Sequence, residues 1–118
     1  MSDIKDLTDK IIKFRDDRNW KQFHKPKDLA ISLALEAAEV LEHFQWKSEK
    51  EIEDYVKTHK DEIGEEIADV FIYLMYLSYG LSIDVKEAIE KKIIKNGKKY
   101  PVEKAKGTAK KYIELKKL

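Results

Sequence analysis

Ile63-Gly64-Glu65-Glu66-Ile67-Ala68-Asp69-Val70-Phe71-Ile72-Tyr73-Leu74-Met75-Tyr76-Leu77 is the stretch from which the fold can be read. Ile63, Ile67, Val70, Leu74 and Leu77 recur at three- and four-residue steps, the spacing that stacks side chains on one face of an α-helix. The pattern predicts a helix from about Asp61 to Tyr79, closed by Gly80 as a C′ residue. Upstream, Ser48 with Glu51 makes a capping box ahead of a short amphipathic helix carrying Ile52, Tyr55 and Val56. Before that, a helix is expected from about Leu29 to Trp46, with Asp28 placed to cap it and Pro26 restricting Lys25 to extended geometry. Ile4, Leu7, Ile11 and Phe14 predict a first helix over Asp3 to Arg18. Downstream, Asp84 with Glu87 repeats the capping signal and opens a helix expected to end at Asn96-Gly97. Beyond Tyr100-Pro101 lies a lysine-rich tail, with one weak helix expected from Thr108 to Leu115.

These segments make an all-α bundle of four to five helices. The length of 118 residues suits a single domain spanning residues 1–118, with the lysine-rich tail from about 101. Four glycines and two prolines are too few for the turns of an all-β domain, and 42% hydrophobic residues are enough for a core. The absence of cysteine excludes a disulfide framework, a thiolate metal site and a cysteine nucleophile. The start, Met1-Ser2-Asp3-Ile4-Lys5-Asp6, lacks the pattern of a signal peptide, and no apolar run approaches a membrane span, so a cytoplasmic location without membrane partners is expected. Apolar residues beyond one stripe, Phe71, Ile72 and Met75 in one helix and Ile93 and Ile94 in another, predict an oligomeric assembly.

The net charge of +1 conceals an uneven distribution. Residues 34 to 69 hold twelve acids against four lysines, a net of −8, whereas residues 91 to 118 hold eleven lysines against two glutamates, a net of +9. An acidic middle that holds cations and a basic end that holds anions suit a metal-bound polyphosphate. The same distribution also suits a helical module with a basic nucleic-acid-binding tail.

Glu36 and Glu39 are three residues apart, which places both on one helix face, and Glu66 and Asp69 share that spacing. Two such pairs facing each other across antiparallel helices would converge on one or two cations with the all-oxygen coordination that Mg²⁺ and Mn²⁺ prefer. The ordinary alternative is a solvated helix face of acids paired with lysines. Against it, neither Glu36 nor Glu39 has a lysine or arginine three or four residues away, and both lie among Ala34, Leu35, Ala37, Ala38, Val40 and Leu41. An unpaired carboxylate in apolar surroundings is destabilised by lost hydration, which a cation best offsets. A di-iron bundle would need Glu-x-x-His, and no glutamate stands three residues before His24, His43 or His59.

Glu36-x-x-Glu39 followed by Glu66-x-x-Asp69 resembles the signature of the MazG-type all-α nucleoside triphosphate pyrophosphohydrolases. Phe14, Arg18, Trp20, Gln22-Phe23-His24-x-Pro26, Phe44-Gln45-Trp46-Lys47, Asp69 to Leu74, and Lys92-x-x-x-Asn96 leading into Tyr100-Pro101 resemble the dCTP pyrophosphatase branch. The similarity runs from about Ile11 to Leu115 and includes Lys111-Tyr112-x-Glu114-Leu115; Gly97 departs from it, standing where that branch tends to carry a basic residue. The resemblance implies a MazG-like helical bundle in which Glu36, Glu39, Glu66 and Asp69 are the Mg²⁺ ligands, with Mn²⁺ as an alternative. It implies that Trp46 and Tyr73 wall a base pocket, that Trp20 and His24 contribute on the base or sugar side, and that Lys92 and Asn96 stand near phosphate or sugar. It also implies a homodimer or homotetramer with sites built between subunits.

The expected reaction is Mg²⁺-dependent hydrolysis of a deoxynucleoside triphosphate, dCTP or a modified cytosine analogue, to monophosphate and pyrophosphate. Glu36, Glu39 and Glu65 are the candidate acceptors of the attacking water's proton, and the spacing does not rank them. The rival readings are a nucleic-acid-binding module and a purely structural oligomerisation bundle. The basic end lacks regular aromatic interleaving, which argues against nucleic acid as a partner.

Overall fold

The structure, a computed structural model, describes residues 3–110. The expectations for Lys111 to Leu115 lie outside them. The described residues form α1 (Asp3–Asp17), a 3₁₀ turn (Lys21–Phe23), α2 (Pro26–Glu42), α3 (Glu49–Gly80), α4 (Val85–Lys99) and the short α5 (Val102–Ala105), with no strand among them. The all-α expectation holds. Among the described residues no single helix is long and apolar enough to cross a membrane. The chain divides into two compact units, one up to Ile83 and one from Asp84 onward.

In the first unit α2 and α3 pair antiparallel. Leu29 shares a core with Tyr76, Glu36 and Glu39 meet Glu66, and His43 Nδ1 lies 2.6 Å from the Tyr55 hydroxyl. The turn between them ends in the expected capping box, with the Glu51 N–H donating to Ser48 Oγ and the Ser48 N–H donating to Glu51 Oε1, both at 3.2 Å. Helix α1 lies against α3, where Thr8 Oγ1 approaches Met75 Sδ at 3.6 Å and the Arg15 guanidinium sits 5.5 Å from the Tyr79 ring. Ile12, Leu29 and Tyr76 form the buried core, with Ile11, Ile72, Tyr73 and Leu77 packed around it. Arg15 is buried with it and binds Asp16 Oδ1 through Nε at 2.9 Å and Nη2 at 2.8 Å.

Several boundaries differ from the sequence expectation. Helix α2 begins at Pro26, with Lys25 as its N-cap and Asp28 inside the first turn. A proline suits that first position because its missing N–H has no helical partner to lose. The helix ends at Glu42 rather than Trp46, where turn hydrogen bonds from Phe44 and Gln45 to the Leu41 carbonyl take over. The two helices expected after Ser48 are one long α3 broken only at His59 (φ −123°, ψ 17°). There the His59 ring stacks on Tyr55 at 3.9 Å, and the Tyr55 carbonyl accepts from Thr58 Oγ1 at 3.3 Å. Gly80 remains helical; Leu81 caps α3, and Ser82 takes the left-handed conformation at φ 56°. Met75, read as surplus apolar surface, is buried.

In the second unit Asp84 caps α4 by accepting from the Glu87 N–H at 3.0 Å. The helix runs through Asn96-Gly97 to Lys99, because Pro101 forces its predecessor out of helical geometry only at Tyr100. Thr108 to Lys110 are not helical; the helical turn of this region is α5. Ile89, Ile93 and Ile94 are exposed on α4.

Candidate active site

Leu29, Ser32, Leu33, Glu36 and Val40 are the covered positions of α2, and the pairing of α2 with α3 brings Glu36, Glu39 and Glu66 together. One carboxylate oxygen from each lies within 4.8 Å of the other two. Glu36 Oε2 is buried and has no hydrogen-bond partner. Desolvation, then contact with Glu39 and the charge of Asp69, raises the Glu36 carboxyl above its ordinary range. The hydrogen bond to Glu39, followed by desolvation and the charges of Glu39, Asp69 and Glu36, pushes Glu66 up to about 7.

Carboxylates this close repel one another unless a proton or a cation stands between them. A buried, unpartnered oxygen within an all-carboxylate donor set fits a hard divalent cation such as Mg²⁺. Glu65, adjacent to Glu66 but about 100° round the helix, is exposed and stands outside the group.

Asp69, one turn beyond Glu66, stands outside that group of three, but its charge acts on Glu36 and Glu66 and it lines a cavity of about 390 Å³. Helix α1 contributes Lys10, Ile11 and Phe14 to its walls, the following segment Trp20 and His24, and α3 Asp69, Ile72, Tyr73 and Tyr76. Ring contacts link the residues at its aromatic end. Phe14 meets Trp20 edge-on at 5.9 Å, His24 lies 4.4 Å from Tyr76, and Tyr73 meets Tyr76 edge-on at 5.9 Å. Arg18 sits 3.5 Å over the Phe14 ring and braces that wall. Burial first, and then the Arg15 charge, lower His24 below the ordinary histidine range, so the ring is neutral at neutral pH. Its Nδ1 is buried without a partner.

Of the residues singled out from sequence, the α2–α3 pairing brings together Glu36, Glu39 and Glu66, and the cavity brings together Trp20, His24, Asp69 and Tyr73. Trp46 does not line the cavity. It closes the α2–α3 turn at φ 68°, a left-handed conformation unusual for a bulky residue, and is 92% exposed. Lys92 and Asn96 are exposed one turn apart on α4, in the second unit. Sequence reasoning missed Lys10, Ile11, Phe14, Ile72 and Tyr76 as cavity residues. The apolar ones carry the same signal as core, and Lys10 resembles any surface lysine.

A family model described as MazG-like matches residues 31–115, most of the chain and all four carboxylates. The chain belongs to the MazG-like family. Similar proteins include dCTP pyrophosphatase 1 of Mus musculus, 38% identical over 104 residues, and that of Homo sapiens, 35% identical. Each alignment covers 86% of this chain and 61% of the relative, so this MazG-like chain spans about three-fifths of their length. A crystal structure of a pyrophosphatase from Archaeoglobus fulgidus aligns with TM-score 0.80 and 43% identity, covering 86% of this chain and 94% of that one.

Proposed function

We propose that this chain hydrolyses a deoxynucleoside triphosphate, dCTP or a modified cytosine analogue, to the monophosphate and pyrophosphate, with Mg²⁺ or Mn²⁺ held by Glu36, Glu39, Glu66 and Asp69. One observation carries the reading: Asp69, one turn from Glu66 and close enough for its charge to act on Glu36 and Glu66, lines an aromatic cavity of about 390 Å³. The names of the similar proteins, dCTP pyrophosphatase 1 and a pyrophosphatase, support it. A bound divalent ion supplies charge neutralisation at the phosphates and a water of lowered pKa.

Glu36 and Glu39 are the candidates to accept that water's proton; Glu65 lies outside their group. Trp20 and Tyr73 offer ring faces to the base, and the neutral His24 offers an unsatisfied ring nitrogen. Lys92 and Asn96, which the family resemblance assigns to phosphate or sugar, are retained as candidates for that role. Trp46 reaches a base where a second copy of the chain completes the site, in a homodimer or homotetramer.

Incubation with each triphosphate and Mg²⁺, resolving pyrophosphate from orthophosphate, tests the reaction. Intact pyrophosphate is expected, and a nucleoside diphosphate as main product defeats the assignment. Stacking does not distinguish bases, whereas hydrogen bonds matched to cytosine leave a buried group unpaired with uracil or thymine. The expected kcat/KM for dCTP therefore exceeds that for dUTP and dTTP by at least about tenfold. Equal rates on all pyrimidines would remove dCTP as the substrate while leaving the reaction type in place.

A further inference from the structure

Lys10 is the one lysine or arginine among the described residues that line the cavity. Helix α1 carries three lysines with an aspartate one turn away. Lys5 pairs with Asp9 at 3.0 Å and Lys13 with Asp17 at 2.7 Å, both on exposed surface. Asp6 stands four residues before Lys10, the order that favours an acid–lysine pair on a helix, yet among the described residues no ion pair joins them. Lys10 instead shares the cavity face of α1 with Ile11 and Phe14.

The position of Lys10 along the cavity follows from how α1 lies on α3. The two helices advance in the same sense, Thr8 lying against Met75 and Arg15 against Tyr79. Phe14 leads to the aromatic end, where it meets Trp20. Lys10, one turn earlier, lies toward the end where α3 contributes Asp69. A nucleotide with its base at the aromatic end and its phosphates at the carboxylates would pass its sugar-linked phosphate between them.

We propose that Lys10 binds the sugar-linked phosphate of the nucleotide in this cavity. The inference rests on the functional reading above and adds to it a phosphate ligand that is independent of the metal and of α4. An ammonium is a compact charge with three donors that gains most from a phosphate oxygen, and an uncharged nucleoside offers it no equivalent partner.

Calorimetric titration of the full chain with the four deoxynucleoside 5′-monophosphates and their parent deoxynucleosides, with and without Mg²⁺, tests this. Lys10→Met should weaken the best-bound monophosphate by about five- to tenfold and leave its nucleoside unchanged, in both metal conditions. Lys10→Arg should keep most of the affinity, and Lys13→Met should change neither ligand. Unchanged monophosphate affinity in Lys10→Met, an equal loss for the nucleoside, or no monophosphate binding by the wild-type protein would each overturn the proposal. Pyrophosphate release by the wild-type protein is scored separately. Its absence with every triphosphate defeats the functional reading, while the calorimetric difference still decides Lys10.

Discussion

The two halves of α3 carry acids in similar number and put them in opposite situations. Before the break at His59, Asp54 lies 3.6 Å from Lys50 and 3.8 Å from Lys57, and all three side chains are more than half exposed. After it, Glu66 and Asp69 have no lysine partner among the described residues and face Glu36 and Glu39 across the helix pair. Paired surface acids are nearly neutral in their effect on stability, whereas unpaired acids pressed together repel until a proton or a cation enters. A candidate site is marked by the absence of counterions around the carboxylates and not by their number.

The sharpest way to break this contrast is to remove one charge from each half. Asp69→Asn keeps the shape and loses the charge, and pyrophosphate release should fall by about 100-fold or more. Glu53→Gln on the first half is the matched control, and its activity should stay within about twofold of wild type. Unchanged turnover by a folded Asp69→Asn protein would rule out the proposed metal site.

A second test uses the protons held by the carboxylate group. Glu36 and Glu66 have raised pKa values in the folded protein, so between the ordinary carboxylate range near 4.5 and about 7 the folded state binds more protons than the unfolded state. Stability of the metal-free protein therefore falls as pH rises through that window. Melting temperatures measured in chelator should decline from about pH 5 to about pH 8, and Mg²⁺ should restore more at the higher pH, where it does not compete with protons. A metal-independent melting temperature at the higher pH would contradict the contrast between the two halves.

The smallest effect belongs to the paired half. Lys50→Ala should change unfolding free energy by no more than about 0.5 kcal/mol, read from denaturant midpoints, because exposed pairs on one helix contribute little. A larger loss would mean that this half also depends on its charges for stability.

Much of the fold was legible because its signals are local. The capping box at Ser48 and Glu51 and the cap at Asp84 occur where their residue types place them. The misread boundaries fall in both directions: α3 and α4 run on through Gly80 and Gly97 and α2 starts early, whereas α2 stops at Glu42, short of Trp46. Gly80 and Gly97 were read as helix ends although a glycine permits the left-handed conformation without requiring it, and both remain helical. Asp28 was read as a cap although Pro26, two residues earlier, already opens the helix.

The sequence by itself determined the helices and the two carboxylate pairs. Three-residue spacing fixes a shared face within one helix, and the lack of nearby lysines is a property of the chain. Only the tertiary structure decided that Glu36, Glu39 and Glu66 come within 4.8 Å of one another while Asp69 stands outside that group and lines the cavity, that Lys10 faces that cavity while Lys13 faces Asp17, and that Trp46 stands exposed. Backbone geometry sets which residues share a face, but the rotation of one helix against another is set by side chains far apart in the chain. Here Ile12, Leu29 and Tyr76 make that packing, and no local pattern records it.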